Sequence, residues 1–529
     1  MKNLCCRDVP DAEYRKQKQN NQLFPISADS CDLQQICYLY ILIIKPLMKK
    51  LLPFITVLAA FLQSCSGHDA YIVSTTADVQ WAESFINAHG PSSGTPESLT
   101  VMVDSCKQTI KGFGTCFSEL SARALSKLSE EDRQEVMTQL FDPEAGAAFT
   151  ICRTPLACSD FALEYYSYND VAGDLAMKNF SVAHDEALLI PLIKDALVHN
   201  PAMKIWASPW CPPQWMKVNR HYASRPLQIE RKHIEGRLEL NNIVTDNGVT
   251  EETTMHEGED SFILDGTYLE AYALYFKRYV QEYRKRGIDI FMVMPQNEFN
   301  SDQNFPSCTW TPQGLLRFMK VLVPAMEEEG VEVYFGTMER PDRSMADVIL
   351  QDPEVGPEIH GAAFQWAGRA ALPAIHESYP DLTMVMSEQQ CFGGANSWED
   401  FMAAWDLLKD NIDNGVSIYD YWNLALFKDE VSTWGWKQNS LISVDYGTGK
   451  YHYNYEFYEM KHISRFVKPG AVCLGTAGYP EALAFRNTDG SIAVLVAEKE
   501  GSERALTISV GKKAITATIP ANSLSTIVL

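Results

Sequence analysis

The chain has 529 residues, 46% of them hydrophobic and 11% aromatic, which is ample for a large soluble core and for more than one structural unit. Forty-five basic residues against 68 acidic ones give a formal net charge of −23, which excludes a surface that tracks nucleic acid; the acidic excess reads as a solvated surface. The thirteen cysteines show no CxxC pair and no Cys/His cluster at zinc spacing, so no metal site is expected.

Residues 1–47 have mixed polarity and read as an over-extended start without a structural role. From Met48 to Cys65 the chain has a basic start, an apolar stretch of roughly a dozen residues and small residues at its end, the build of a secretory signal. Leu62-Gln-Ser-Cys65 resembles a lipobox, so Cys65 is expected to carry lipid. The expectation is an exported, lipid-anchored lipoprotein, periplasmic or surface-facing, that meets the membrane only through Cys65. Lys45, Pro46, Lys49 and Lys50 interrupt the stretch from Ile36 to Leu62 and argue against a spanning helix.

Residues 70–104 contain strand-like pieces such as Tyr71-Ile-Val-Ser and Leu99-Thr-Val-Met-Val. Over residues 105–450 short apolar runs alternate with amphipathic helices. Eight strands are expected, at 110–115, 149–155, 204–208, 288–295, 331–336, 359–365, 382–386 and 417–422. The helices between them, at 185–198, 268–286 and 312–329 for example, repeat apolar residues at three and four positions. Eight such units imply an α/β fold, a (β/α)8 TIM barrel, and no glycine-rich phosphate turn supports a doubly wound sheet instead. Residues 451–529 break into six short alternating runs separated by Gly, Pro and Asn turns, an antiparallel β-sandwich that the strands before the barrel complete. The polar stretch 221–265 after the third barrel strand is too long for an ordinary loop and reads either as a substrate-facing flap or as a disordered insertion. Six cysteines near strand ends, Cys116, Cys152, Cys158, Cys211, Cys308 and Cys391, are expected to form one or two disulfides or to stay buried thiols.

Two glutamates follow apolar strands: Glu298 after Ile288-Asp-Ile-Phe-Met-Val-Met-Pro-Gln-Asn, and Glu388 after Leu382-Thr-Met-Val-Met-Ser. In one barrel these end the fourth and seventh strands and face one pocket. A pair of carboxylates flanking one bond is what glycosidic hydrolysis requires, and it requires no cofactor.

The strings Gly112-Phe-Gly114, Arg153-Thr-Pro-Leu-Ala-Cys-Ser-Asp160, Ala207-Ser-Pro-Trp210, Pro295-Gln-Asn-Glu298, Ser387-Glu388 and Trp422-Asn-Leu-Ala-Leu426, in this order, resemble glycoside hydrolase family 30 over about residues 105–470. That is the glucosylceramidase-like family of retaining β-glycosidases, with a (β/α)8 barrel and an appended β-sandwich. The resemblance implies Glu298 as acid/base and Glu388 as nucleophile. It also implies substrate-side roles for Asn297 at the sugar 2-hydroxyl, Arg153 beside Glu388, Asp160 and Trp210 around the glycone, and Trp422 as a stacking platform. Asn439 aligns loosely with a further substrate residue. One departure stands out: where the glucosylceramidase-like members have His-Trp-Tyr, this chain has Phe364-Gln-Trp-Ala367, so Gln365 replaces the histidine that lines the pocket and Ala367 the tyrosine. The implied activity is double-displacement hydrolysis of β-glucosides, with a carbohydrate or glycolipid substrate. The alternatives are an endo-β-1,6-glucanase of the same family, or a catalytically inactive carbohydrate-binding lipoprotein. Oligomeric state is not readable from the sequence.

Overall fold

Three strands, β1 (Ala70–Thr76), β2 (Ala82–Ile86) and β3 (Glu97–Thr109), precede eight short segments that are almost wholly buried. The computed structural model describes residues 69–86, 97–235 and 243–529; the expected leader 48–65 with Cys65, and residues 1–47, lie outside the described residues.

The eight segments are β4 (Gly112–Cys116), β5 (Ile151–Pro155), β6 (Lys204–Ser208), β7 (Ile290–Val293), β8 (Glu332–Met338), β9 (Ile359–Gln365), β10 (Thr383–Gln389) and β11 (Val416–Asn423). They close a parallel barrel in which β11 returns to β4, each strand on its expected segment. Their outer faces are covered by helices, which is why they read as continuous apolar runs rather than alternating ones. The helix Gly266–Lys285 starts at Asp265, whose side chain accepts from Thr267 N. The helix Pro312–Glu327 starts at Thr311, whose hydroxyl accepts from Gly314 N, with proline in its first turn. Inside the barrel, Ile151, Trp206, Met292, Met294, Tyr334, Ala363, Val385 and Ile418 form one packed cluster. The first strand contributes glycine instead: a Cβ on Gly114 would lie 1.5 Å from the carbonyl oxygen of Ile151, so only glycine lets β4 approach β5.

After the barrel come a small sheet of β12 (Ala425–Phe427), β13 (Ile442–Val444) and β14 (Tyr451–Tyr453), and then β15 (Val472–Ala477), β16 (Ala482–Arg486), β17 (Ile492–Glu498), β18 (Arg504–Val510), β19 (Lys513–Ile519) and β20 (Ser523–Val528). The last six join the three leading strands in the order β19-β18-β3-β15-β16-β17-β20-β1-β2. β1 runs antiparallel to β20 with Ile72 opposite Ile527, and β3 lies between β15 and β18, so both ends of the described chain build the sandwich. Alternation explains its two-sided burial. Ala482, Ala484, Val494 and Val496 face the sandwich core, whereas Leu483, Phe485, Ala493 and Leu495 join the core on the barrel side.

Two boundaries differ from the sequence reading. β3 continues through Thr109, past residue 104, and the first residues after Tyr451 are not sandwich: β14 is followed by the helix Tyr455–Ser464. The string Tyr451-His-Tyr-Asn-Tyr-Glu-Phe-Tyr is rich in strand-forming aromatics, but burial of Phe457, Met460 and Ile463 on one face selects the helix. Its His462 bonds Thr526 Oγ1 (2.8 Å) and Thr75 Oγ1 (3.0 Å), tying the helix to β20 and β1. All eight described cysteines are free thiols, so the disulfide alternative is not realised among the described residues.

Candidate active site

Glu388 lies near the end of β10, opposite Gln365 of β9. Glu298 stands beyond the end of β7, in a turn where its own backbone is left-handed (φ 49°). That conformation costs a non-glycine residue on the order of 1–3 kcal/mol and needs support from outside. The support includes its N–H, which donates to Thr337 Oγ1 of β8 across 3.0 Å. Both side chains are recessed, at 6% and 3% exposure for Glu298 and Glu388.

Different partners surround the two carboxyls. Glu388 Oε1 accepts from Arg153 Nη1 (2.5 Å) and Glu388 Oε2 from the indole N–H of Trp366 (3.2 Å). Glu298 is met by amides: Gln365 Nε2 donates to Oε1 (3.0 Å) and Gln303 Nε2 to Oε2 (2.9 Å). The other end of the Gln365 amide accepts from Ser387 Oγ (3.0 Å), next to Glu388. Burial pushes the Glu298 carboxyl up to about 8, helped by the negative fields of Glu388 and Asp160 and opposed by the two amides. Burial raises Glu388 as well, but there the guanidinium of Arg153 opposes it most strongly.

Arg153, fully buried, organises the floor of the site. Nη2 donates to Asn297 Oδ1 (2.7 Å) and Ser208 Oγ (2.8 Å), and the guanidinium stacks over Trp210 (4.3 Å), Trp206 (4.8 Å) and Trp422 (5.5 Å). Thr337 Oγ1 donates to the same Asn297 oxygen across 3.2 Å. The Asp160 carboxyl is pushed well up by burial and by Glu388, and its Oδ1 is buried without a hydrogen-bond partner. The structure therefore brings together Glu298, Glu388, Asn297, Arg153, Asp160, Trp210, Gln365 and Trp422.

Two of the expected residues behave differently. Trp422 offers no open face: it is buried against Trp210 and Phe161, and its free feature is an indole N–H without a partner. Asn439 is a correction. It is fully buried with both ends of its amide engaged, Nδ2 donating to Asp400 (2.9 Å) and Glu456 (2.5 Å) and Oδ1 accepting from Asn396 N (3.2 Å), so it holds loops together and has nothing left for substrate.

Sequence reasoning missed Gln303, Thr337 and Ser208. Gln303 and Thr337 stand outside every recognisable string, whereas Ser208 and the donor Trp366 sat unassigned within Ala207-Ser-Pro-Trp210 and Phe364-Gln-Trp-Ala367. Trp206 fills the barrel, donates to Asp420 Oδ2 (2.7 Å) and supports Arg153 from below.

The segment after β6 is built rather than loose over its described residues. Lys217 is fully buried, and its ammonium donates to the carbonyls of Tyr222 (3.0 Å), Ala223 (3.3 Å) and Ser307 (2.6 Å). Ser224 N and Arg225 N donate to the carbonyl of Gln303 (2.9 and 3.1 Å), and Val244 N to that of Thr433 (2.8 Å). Tyr222 stacks on Tyr165 at 5.2 Å. The insertion thus joins the loops that follow β5, β7 and β12 around the mouth of the barrel.

This arrangement has known counterparts. The family model described as the glycosyl hydrolase family 30 TIM-barrel domain matches residues 110–228 and 246–467, and that of the family's β-sandwich domain matches residues 470–527. The lysosomal acid glucosylceramidase of Mus musculus is 26% identical over 446 residues, covering 79% of this chain and 80% of its own. The endo-1,6-β-D-glucanase of Neurospora crassa is 26% identical over 470 residues, covering 82% of this chain and 89% of its own. The crystal structure of SrfJ from Salmonella typhimurium shares the fold with a TM-score of 0.73 at 24% identity, over 87% of this chain and 99% of that one. With both its barrel and its sandwich matched, the chain belongs to glycosyl hydrolase family 30, a family of retaining O-glycosyl hydrolases.

Proposed function

We propose that Glu388 is the nucleophile and Glu298 the acid/base of a double displacement at the anomeric carbon of a β-glucoside. The observation that carries this assignment is the asymmetry of partners: a buried guanidinium on Glu388, amides alone on Glu298. The guanidinium favours an ionised Glu388, ready to attack, and Glu298 keeps its proton for the leaving oxygen. Once the leaving group departs as the alcohol, Glu298 is the carboxylate that takes a proton from water, the water oxygen bonds to the anomeric carbon, and Glu388 is released. Asn297, fixed by Arg153 and Thr337, keeps its amide N–H free for the sugar 2-hydroxyl; the unpartnered Asp160 Oδ1 and Trp422 Nε1 suit the remaining hydroxyls.

The recessed carboxyls and the enclosing insertion favour a pocket that takes one terminal glucose, as in a glucosylceramidase-like enzyme. One observation supports the endo-β-1,6-glucanase reading as second: the indole of Trp436, 38% exposed on the rim beside Phe305, is a platform for a longer glucan. Protein lacking residues 1–65 is incubated with an aryl β-glucoside and with a β-1,6-glucan, with Glu388→Gln as control. Glucose from the aryl substrate alone supports the pocket, oligosaccharides from the glucan support the cleft, and full activity of the control sinks the nucleophile assignment.

Export with a lipid on Cys65 is proposed from Leu62-Gln-Ser-Cys65 and the apolar run before it. Among the described residues no helix is long and apolar enough to cross a membrane. Lipid-dependent membrane fractionation that survives Cys65→Ala would overturn it.

A further inference from the structure

Gln303 stands apart from the residues that the family strings identify. Its Nε2 lies 2.9 Å from Glu298 Oε2 and 2.6 Å from Ser301 Oγ, so the amide is clamped between the acid and a local hydroxyl. Its backbone is held from the other side, where two successive N–H groups of the inserted segment, Ser224 and Arg225, converge on its carbonyl. Ser307 Oγ donates to that carbonyl (3.1 Å) and shares a hydrogen bond with Ser224 Oγ (2.9 Å), closing the connection. Lys217 fastens the same two segments from below through the carbonyls of Ala223 and Ser307. A half-buried glutamine on a long loop would ordinarily sample several rotamers at little cost; here the clamp leaves it one.

We propose that Gln303 is a positioning residue for the Glu298 carboxyl, held in place by the segment inserted after β6, and that this contact sets how readily Glu298 gives up its proton. The proposal rests on the acid/base reading of Glu298. An amide N–H that donates to a carboxyl stabilises its ionised form. Gln365 does this at Oε1 from inside the barrel, and Gln303 does it at Oε2 from the rim. The insertion therefore reaches the acid through the Gln303 side chain that its backbone holds.

The charged groups facing Glu298 are Glu388 and Asp160, with Arg153 reached through Asn297. Next to Gln303, Asp302 is paired with Arg225 at 3.7 Å, and beyond Asn300 the guanidinium of Arg340 is shared between Glu339 and Glu257. None of these is altered by substituting Gln303. Methionine keeps the length of the side chain and removes the donor; glutamate keeps the shape and replaces the donor with a second negative group.

The test is the pH profile of kcat/KM on an aryl β-glucoside for wild type, Gln303→Met and Gln303→Glu, with melting temperature recorded for each. The alkaline limb is expected to move upward by about half a pH unit in the methionine variant and by one or more in the glutamate variant. kcat at neutral pH is expected to fall ~3–10-fold with a matching fall in KM, because the second step needs Glu298 as base and the glycosyl-enzyme accumulates. Wild-type limbs in both variants overturn the proposal, as does an equal shift in the two. Glu298→Gln, assayed on an unactivated β-glucoside, separates the two ideas: near-total loss keeps the acid/base reading whatever Gln303 does, and full activity removes that reading and the proposal with it.

Discussion

Arg153 Nη1 donates to Glu388 Oε1 across 2.5 Å, and neither side chain is more than 4% exposed. The other terminal nitrogen of that guanidinium reaches Asn297 Oδ1 at 2.7 Å, so a single buried cation serves both sides of the site. Arg153→Lys offers a point charge in place of a planar fork and cannot hold both. The expected outcome is a loss of 100-fold or more in kcat/KM, with Asn297 released from its orientation. Arg153→Met leaves a buried carboxylate unpaired and is expected to destabilise the fold by about 3–5 kcal/mol. Steady-state kinetics and denaturant unfolding check both, and a fully active lysine variant would falsify the fork argument.

The proton on Glu298 has a pH signature. With its carboxyl pushed up to about 8 by burial, Glu388 and Asp160, kcat/KM is expected to fall as pH rises through about 8, where the acid ionises. Since Glu388 contributes negative charge, Glu388→Gln removes one cause of the rise, and the Glu298 carboxyl then titrates at lower pH. Carboxyl-labelled NMR on that variant reads the titration without needing turnover. A Glu298 signal that titrates at the same pH in both proteins would show that the two acids do not feel each other.

The barrel was legible because its evidence is local and repeated: Lys204–Ser208 and Ile359–Gln365 are bounded in the sequence as they are in the structure, since each is an apolar run stopped by turn residues. The carboxyl pair was legible for the same reason, as each follows such a run. What stayed hidden depends on contacts between distant segments. Gln303 has no neighbours in sequence that mark it, and its role emerges only when Ser224 and Arg225 arrive from some eighty residues upstream. Asn439 was misread because a loose alignment with a family substrate residue carries no information on its contacts, and Asp400, Glu456 and Asn396 occupy its amide. The helix Tyr455–Ser464 was hidden by its aromatics, which favour a strand until tertiary burial decides otherwise.

Lys217 fixes the insertion to the loop that carries Gln303. Lys217→Met fills a similar volume and leaves the carbonyls of Tyr222, Ala223 and Ser307 without their donor, at a cost on the order of 2–4 kcal/mol. The loss is expected to appear first as local opening, with proteolytic cleavage between residues 217 and 265 at enzyme concentrations that leave wild type intact. An unchanged cleavage pattern together with an unchanged denaturation midpoint would remove the anchoring role.

A further buried carboxyl gives a stability prediction away from Glu298 and Glu388. Asp185 accepts from the hydroxyls of Tyr166 (3.0 Å), Tyr168 (2.5 Å) and Tyr283 (2.5 Å) and is fully buried. Burial pushes its carboxyl up to about 6, although the three hydroxyls pull the other way. Between about 4, where the unfolded chain ionises, and about 6, the folded protein holds a proton that the unfolded chain has released. Folding stability from this group is therefore fully present below pH 4 and falls as pH rises through this window, by about 3 kcal/mol in all, staying level above it. Asp185→Asn keeps an acceptor for the tyrosines but does not titrate, so the difference in unfolding free energy between variant and wild type should shift in favour of the variant by that amount from pH 4 to 6. Denaturant midpoints measured for both proteins at pH 4, 5, 6 and 7 decide it: parallel curves would mean that the tyrosine hydroxyls hold Asp185 ionised throughout and that burial does not control this carboxyl.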